Sequence, residues 1–220
     1  MVDVIAIDGP AASGKSTTAR LTAASLGFCY LDTGAMYRTA ALLAKRCGVS
    51  FDDGHAVSRL MSLHEIAVRG GRATLDGEDV SAEIREPWAG NAASIVSTFS
   101  EVRRAMVELQ RRFAASGSTV AEGRDMGTVV FPGAVLKVFI VADLAIRAVR
   151  RCRETSPGAV PDVAAQAEAL LKRDRRDRER SDSPLRPAPG AWWLDTTLLG
   201  IREQVDMVVA EYRRRRAELG

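Results

Sequence analysis

The sequence predicts an α/β protein: a parallel sheet of about five strands with helices on both faces. Three observations predict it. Short apolar or β-branched runs recur along the 220-residue chain. Stretches of helical periodicity or long connections separate them, and the first run passes through a glycine-bounded loop straight into a helix. Strands interleaved with helices pair in parallel, because a parallel neighbour needs a crossover and the crossover covers one face of the sheet.

Val2 to Asp8 is the first strand, stopped by Gly9, and Ser16 to Ser25 follows as a helix with a small-residue face. The unit then repeats. Phe28 to Leu31 is an apolar run halted at Asp32-Thr33-Gly34, and Ala35 to Cys47 reads as a helix with Gly48 as its C-cap. From about Leu63 to Val80, apolar and polar residues alternate around Gly70-Gly71 and Asp76-Gly77. Those glycine pairs are hairpin turn signals, so a small antiparallel insertion is expected there. Helical periodicity returns over Glu86 to Ile95 and Glu101 to Ala114. Thr119 to Ala121, Leu136 to Ala142 and Trp192 to Leu194 are the remaining strands, with a helix over Leu144 to Arg153. A loop from Thr155 to Pro161 leads into a long charged helix, about Asp162 to Arg180, and a proline-rich connector runs from Ser181 to Gly190.

Composition narrows the classes. Hydrophobic residues make up 46% and charged residues 27%, which excludes disordered and fibrous chains. No apolar run approaches the ~18 to 20 residues that span a bilayer. With no basic leader at the start, a cytoplasmic protein without membrane contact is expected. Cys29, Cys47 and Cys152 lack C-x-x-C spacing, so neither a disulfide framework nor a zinc cluster is indicated. Of the 31 basic residues behind the net charge of +3, only Lys15, Lys45, Lys137 and Lys172 are lysine. Either the coding genome favours arginine, or arginines line a phosphate site, where the guanidinium fork grips oxygens bidentately.

The loop after the first strand carries chemistry. Gly9-Pro10-Ala11-Ala12-Ser13-Gly14-Lys15-Ser16 satisfies G-x-x-x-x-G-K-[ST], with Thr17 continuing into the helix. Its glycines let backbone N–H groups turn inward, and the helix N-terminus adds positive potential. Lys15 can reach the β- and γ-phosphates and Ser16 can ligate Mg²⁺. A chance glycine turn would not need the strand before and the helix after. Nucleoside triphosphate binding follows. A GTPase would need Asn-Lys-x-Asp, but the only asparagine, Asn91, precedes alanine, and D-x-x-G is absent. A motor ATPase would be longer and would carry a strand-terminal acidic pair, which leaves a small kinase.

Five blocks, in this order, resemble the bacterial cytidylate kinase family over essentially the whole chain. They are Ile7-Asp-Gly-Pro10 with its loop, Leu31-Asp-Thr-Gly-Ala-Met-Tyr-Arg38, and Gly77-Glu-Asp-Val-Ser81 with Glu83-Ile-Arg85. Ala121-Glu-Gly-Arg-Asp-Met-Gly-Thr-Val-Val-Phe-Pro132 and Arg173-Asp-Arg-Arg-Asp-Arg-Glu-Arg180 complete the set. The resemblance implies one domain, 1–220: a core of about 1–62, 98–150 and 181–220, a monophosphate-binding region of about 63–97 holding the β insertion, and a helical lid of about 151–180.

It also implies roles. Arg38, Arg124 and Arg173 would hold the acceptor phosphate, with Tyr37 beside them; Thr33, Arg103 and Asp125 would read cytosine; Ser94 and Asp177 would hold the sugar. Thr33 stands where related sequences often carry serine. Arg150, Arg151 and Arg180 resemble arginines that close over the triphosphate, and Lys15, Arg124, Arg173 and Arg180 are the expected catalytic set. The implied reaction takes ATP, as Mg-ATP, and CMP or dCMP, in a monomer with no stable nucleic-acid partner.

Independently of the resemblance, Asp32-Thr33-Gly34 and Arg124-Asp125 follow strand ends, where doubly wound sheets bind ligands. Arg173, Asp177 and Arg180 are spaced i, i+4, i+7 and share a helix face. A solvated charged face is the alternative and predicts near-normal kinetics for Arg173→Ala and Arg180→Ala, whereas the functional reading expects each to lower turnover with little loss of thermal stability. Two rivals stay open. A kinase of hydroxyl acceptors could use Asp32 or Asp125 as base. A nucleic-acid module could use Arg173 to Arg180, although Asp174, Asp177 and Glu179 interrupt the charge and no aromatic offers stacking. Trp192-Trp193 is read as core, and His55 and His64 as surface or core residues.

Overall fold

The computed structural model describes residues 2–155 and 162–219. The loop expected between Thr155 and Pro161 lies, apart from its first residue, outside the described residues. Five strands form the main sheet: β1 (Val4–Asp8), β2 (Cys29–Asp32), β6 (Thr119–Gly123), β7 (Leu136–Val141) and β8 (Trp192–Asp195). They lie in the order β2-β6-β1-β7-β8 and every pairing is parallel. A second sheet of three antiparallel strands, β3 (Ile66–Arg69), β4 (Arg72–Leu75) and β5 (Glu78–Asp79), is the expected insertion.

The alternation within β1 shows how the layers divide. Ile5 and Ile7 point into a cluster with Ala19 and Ala23 of α1 (Lys15–Leu26) and Val208 and Tyr212 of α8 (Ile201–Glu218). Ala6, between them, faces the opposite cluster, with Ala35 and Met36 of α2 (Thr33–Arg46) and Val102 and Met106 of α5 (Ser100–Ala114). Both isoleucines are fully buried, each adding ~1.5 to 3 kcal/mol of apolar transfer. Helix α3 (Gly54–Leu63) packs on α5 and α2, α2 itself meets the small sheet at β3 and β4, and α4 (Ala89–Val96) packs on α2. Helices α6 (Leu144–Thr155) and α7 (Val163–Glu179) pack against each other over the carboxyl edge of the main sheet.

Several expectations need correction. Helix was expected from Glu86, but only a 3-10 turn at Glu83–Arg85 precedes α4, and Glu86 is extended at φ −58, ψ 153. The cause is Pro87, whose ring disfavours α conformation in the residue before it. Helix α2 starts at Thr33 rather than Ala35, because the Asp32 carboxylate accepts the Ala35 N–H at 2.7 Å and so caps the first turn. Trp192 packs against the core, but Trp193 is 57% exposed on the edge strand, leaning on Phe139 with ring centroids 5.0 Å apart. The long charged helix is not a solvated face: Asp174 and Asp177 are buried, and Arg180 just past its end is 9% exposed. Loss of Arg180 should therefore cost stability as well as any function.

Candidate active site

The loop between β1 and α1 is shaped by backbone constraints. A Cβ on Gly9 would lie 2.3 Å from the Ile140 carbonyl oxygen on neighbouring β7, so only glycine lets the loop leave the sheet at that point. Gly14 sits at φ +92 and Ala12 at φ +58, both left-handed. The Ser13 hydroxyl donates to the Pro10 carbonyl at 3.0 Å, and Thr196 Oγ1 donates to the Ser13 carbonyl at 2.8 Å from behind.

Lys15 and Ser16 follow and meet Glu122 at the end of β6. Ser16 Oγ donates to Glu122 Oε1 at 2.8 Å, and Lys15 Nζ lies 3.5 Å from Oε2. Burial opposes ionisation of Glu122, but Lys15, Ser16 and Arg124 outweigh it and hold the carboxyl below its usual range. Its register partner on β2 is Asp32, pushed upward by burial and by the Glu122 charge. Burial also pulls Lys15 down to about 8, with the Arg124 charge adding to the effect. A carboxylate pair beside the loop serine is a hard-oxygen donor set of the kind Mg²⁺ takes. Glu122 and Asp32 were given no such role from sequence. The missed signal is that each is an acid ending a buried strand, and only the strand register makes them neighbours.

Across the cleft, the expected acceptor residues converge. Thr33, Tyr37, Arg38, Ser94, Arg103, Arg124, Asp125, Arg151, Arg173, Asp177 and Arg180 line it together with Lys15 and Ser16. Arg38 donates to Asp32 Oδ2 at 3.3 Å. Arg124 Nε donates to Asp177 Oδ2 at 2.7 Å. Burial works against Asp177 ionising, yet the Arg124 and Arg173 charges hold it below the usual carboxylate range. Burial pulls Arg173 down to about 10, and the like charge of Arg124 adds to it. Guanidinium groups pressed together in this way are poised for an anion that neutralises them.

The inner end of the cleft is different. Arg103 and Asp125, 2% and 3% exposed, form a buried hydrogen-bonded ion pair, and Arg103 also donates to the Tyr37 hydroxyl at 3.3 Å. The Arg180 guanidinium lies 4.0 Å from Asp125 Oδ1, and its Nε donates to the Ser183 carbonyl at 2.7 Å. Thr33 Oγ1 donates its proton to the Glu122 carbonyl at 2.7 Å, so toward the cleft it can only accept. Ser94 Oγ, Arg38 Nε and Arg173 Nε are buried and have no hydrogen-bond partner among the described residues. Buried donors without partners are costly unless a ligand answers them.

Arg150 lies beside the phosphate loop rather than in the main cleft. It donates to Thr196 Oγ1 at 3.1 Å and to the Thr196 carbonyl at 2.6 Å, lining a second hollow behind Gly14 with Thr17, Leu199, Ile201 and Gln204. Arg151 faces the main cleft and pairs with Glu154 at 3.3 Å.

The loop, its lysine and the arginine-rich cleft facing it define a P-loop kinase. A family model described as cytidylate kinase matches residues 5–214. A cytidylate kinase of Paraburkholderia phymatum is 46% identical over 211 residues, covering 96% of this chain and 92% of that protein. One from Burkholderia pseudomallei is 48% identical over the same shares. The chain belongs to the cytidylate kinase family. Among solved structures, a gluconokinase from Sinorhizobium meliloti superposes with a TM-score of 0.50 at 15% identity, covering 99% of this chain and 95% of that one. At that identity, the likeness concerns the fold alone.

Proposed function

We propose that the protein transfers the γ-phosphoryl group of ATP to CMP, and to dCMP, giving ADP and the diphosphate. The observation that carries this reading is one cleft with the phosphate loop at one end, the buried Arg103–Asp125 pair at the other, and Arg38, Arg124 and Arg173 between. ATP lies along residues 9–17. An acceptor phosphate among the three arginines is already ionised and nucleophilic, so no general base is needed and the site's task is alignment and charge neutralisation. Asp125, Arg103 and Thr33 read the base; Ser94 and Asp177 hold the sugar. Arg151 and Arg180 add charge against the phosphates. Ser16, with Glu122 and Asp32 as acidic surroundings, would hold Mg²⁺, which would neutralise charge on the triphosphate.

Residues 63–97 then form the acceptor-binding region and 151–180 the lid on a core of 1–62, 98–150 and 181–220. A monomer is the reading adopted. No helix among the described residues is long and apolar enough to cross a membrane, and a cytoplasmic nucleotide enzyme is the reading adopted. Against a hydroxyl-acceptor kinase, Asp32 is engaged as helix cap and Arg38 partner, and Asp125 by Arg103. Those contacts already occupy both carboxylates, whereas a phosphate acceptor needs no base.

ADP release with Mg-ATP tests the reading against a panel of CMP, dCMP, UMP, AMP, GMP, TMP and small alcohols. Release dependent on CMP or dCMP, and far lower with the purine monophosphates and TMP, is expected. No CMP-dependent release, or equal rates across the panel, contradicts it.

A further inference from the structure

A buried ion pair with no role in the mechanism above touches the phosphate loop from behind. Arg147 on α6 and Asp174 on α7 are each 5% exposed. Both terminal nitrogens of Arg147 donate to Asp174 Oδ2 at 2.7 Å, and its Nε donates to the carbonyl oxygen of Ala11 at 3.0 Å. Ala11, Ala148 and Leu170 pack as a small apolar cluster around this junction.

The gripped carbonyl occupies a sensitive place. It belongs to the peptide unit between Ala11 and Ala12, and Ala12 is held at φ +58, a conformation that residues with side chains avoid. Relaxing Ala12 would rotate that peptide unit. A guanidinium fixed on the carbonyl therefore resists the relaxation and preserves the loop's inward-turned backbone. At the other end, Asp174 directly follows Arg173 and lies three residues before Asp177. The helix that the pair holds is the one that presents Arg173 and Asp177 to the cleft and ends at Arg180.

Helix docking alone does not require charge, because well-packed apolar residues replace buried ion pairs at no loss of stability in many proteins. Among the described residues, Asp174 Oδ1 is moreover buried without a hydrogen-bond partner. What apolar residues cannot do is donate to the Ala11 carbonyl.

We infer that Arg147 and Asp174 are a positioning pair that ties the conformation of the phosphate loop to the placement of the cleft-facing residues on α7. One rigid connection then aligns the donor-side loop with the acceptor-side arginines. The inference rests on the kinase reading for the role of those arginines, and its test separates the two.

The test compares wild type, Arg147→Lys, and the double variant Arg147→Met with Asp174→Leu, which removes both charges and keeps apolar bulk. Melting temperature, ADP affinity by calorimetry, and kcat and KM for ATP and CMP are measured for each. The double variant is expected to melt within a few degrees of wild type, to bind ADP roughly 10-fold more weakly, and to lose kcat by roughly 100-fold, the scale of a small misplacement remote from the chemistry. Arg147→Lys keeps a donor and a charge without the fork, and should recover part of both losses. A double variant that folds like wild type with wild-type ADP affinity and kcat overturns the inference and leaves a docking pair. If the double variant does not fold, Arg147→Lys decides: reduced kcat and ADP affinity at near-normal melting temperature support the tie, and unchanged values overturn it. If wild type itself shows no CMP-dependent turnover, the acceptor reading has failed, and the ADP affinities still test the link between the pair and the loop.

Discussion

Lys15→Ala is expected to lower kcat by roughly 10³-fold, the upper range for removing one preorganised charge from a phosphoryl or oxyanion site. Lys15 is 8% exposed at the start of α1, where its ammonium reaches the phosphate end of the cleft and Glu122. Sequence alone suggests that the fold would not notice its loss. The structure modifies that expectation, since removing the lysine leaves Glu122 with Ser16, Arg124 and Arg38 as its remaining support. A buried carboxylate deprived of one partner destabilises, but the lysine's own desolvation, visible in its pull down to about 8, offsets part of that cost. Melting temperature should therefore fall modestly while turnover collapses. Single-turnover rates at saturating ATP and CMP, measured beside a thermal melt, check this. Full activity in the variant contradicts the role given to the loop.

Asp125→Asn carries the second large effect, on specificity. The proposed acceptor of the cytosine 4-amino group is a carboxylate buried at the inner end of the cleft. Uracil presents an oxygen at that position, so carboxylate and base would meet as two acceptors, and rejection of UMP is the expected consequence. An amide offers uracil a donor and weakens the charged bond to cytosine by ~1.5 to 3 kcal/mol, or roughly 10- to 150-fold in kcat/KM for CMP. Arg103 complicates the absolute values. It is 2% exposed and paired with Asp125, so the variant also leaves a buried guanidinium facing a neutral partner. That loss weighs on both substrates alike, and the ratio of the CMP and UMP specificity constants isolates the base contact. A collapse of the ratio is expected. Equal loss for both substrates would reassign Asp125 to structure.

How far the sequence could be read depended on whether the information was local. The phosphate loop was fully legible because its eight residues are contiguous and sit between a strand and a helix. The five main strands were legible because parallel strands buried on both faces read as short apolar runs. Helix α3 was passed over although Asp53 caps it, accepting the Ala56 N–H, and Val57, Leu60 and Met61 follow at helical spacing. The Met126–Val130 π-turn had no local signal. It depends on the Asp8 carboxylate accepting the Met126 and Gly127 N–H groups, each at 2.8 Å, across 118 and 119 residues. Burial pushes that carboxyl up to about 7 in spite of those two bonds. Glu122 and Arg147 were invisible for the same reason, because their partners are brought near only by the sheet register and the helix packing. The charged face of α7 was legible as a pattern, but its burial was not, since nothing in the spacing of Arg173, Asp177 and Arg180 says what covers them.

The central claim is that a phosphoryl group passes directly from a triphosphate on the residue 9–17 loop to the phosphate of CMP. Incubation with ATP labelled at the γ-phosphorus, magnesium and CMP, followed by separation of the products, tests it most directly. The account predicts label in the β-phosphate of CDP, formed in step with unlabelled ADP and absent from free phosphate. Label appearing only as inorganic phosphate, or on an acceptor other than a cytidine monophosphate, would contradict it.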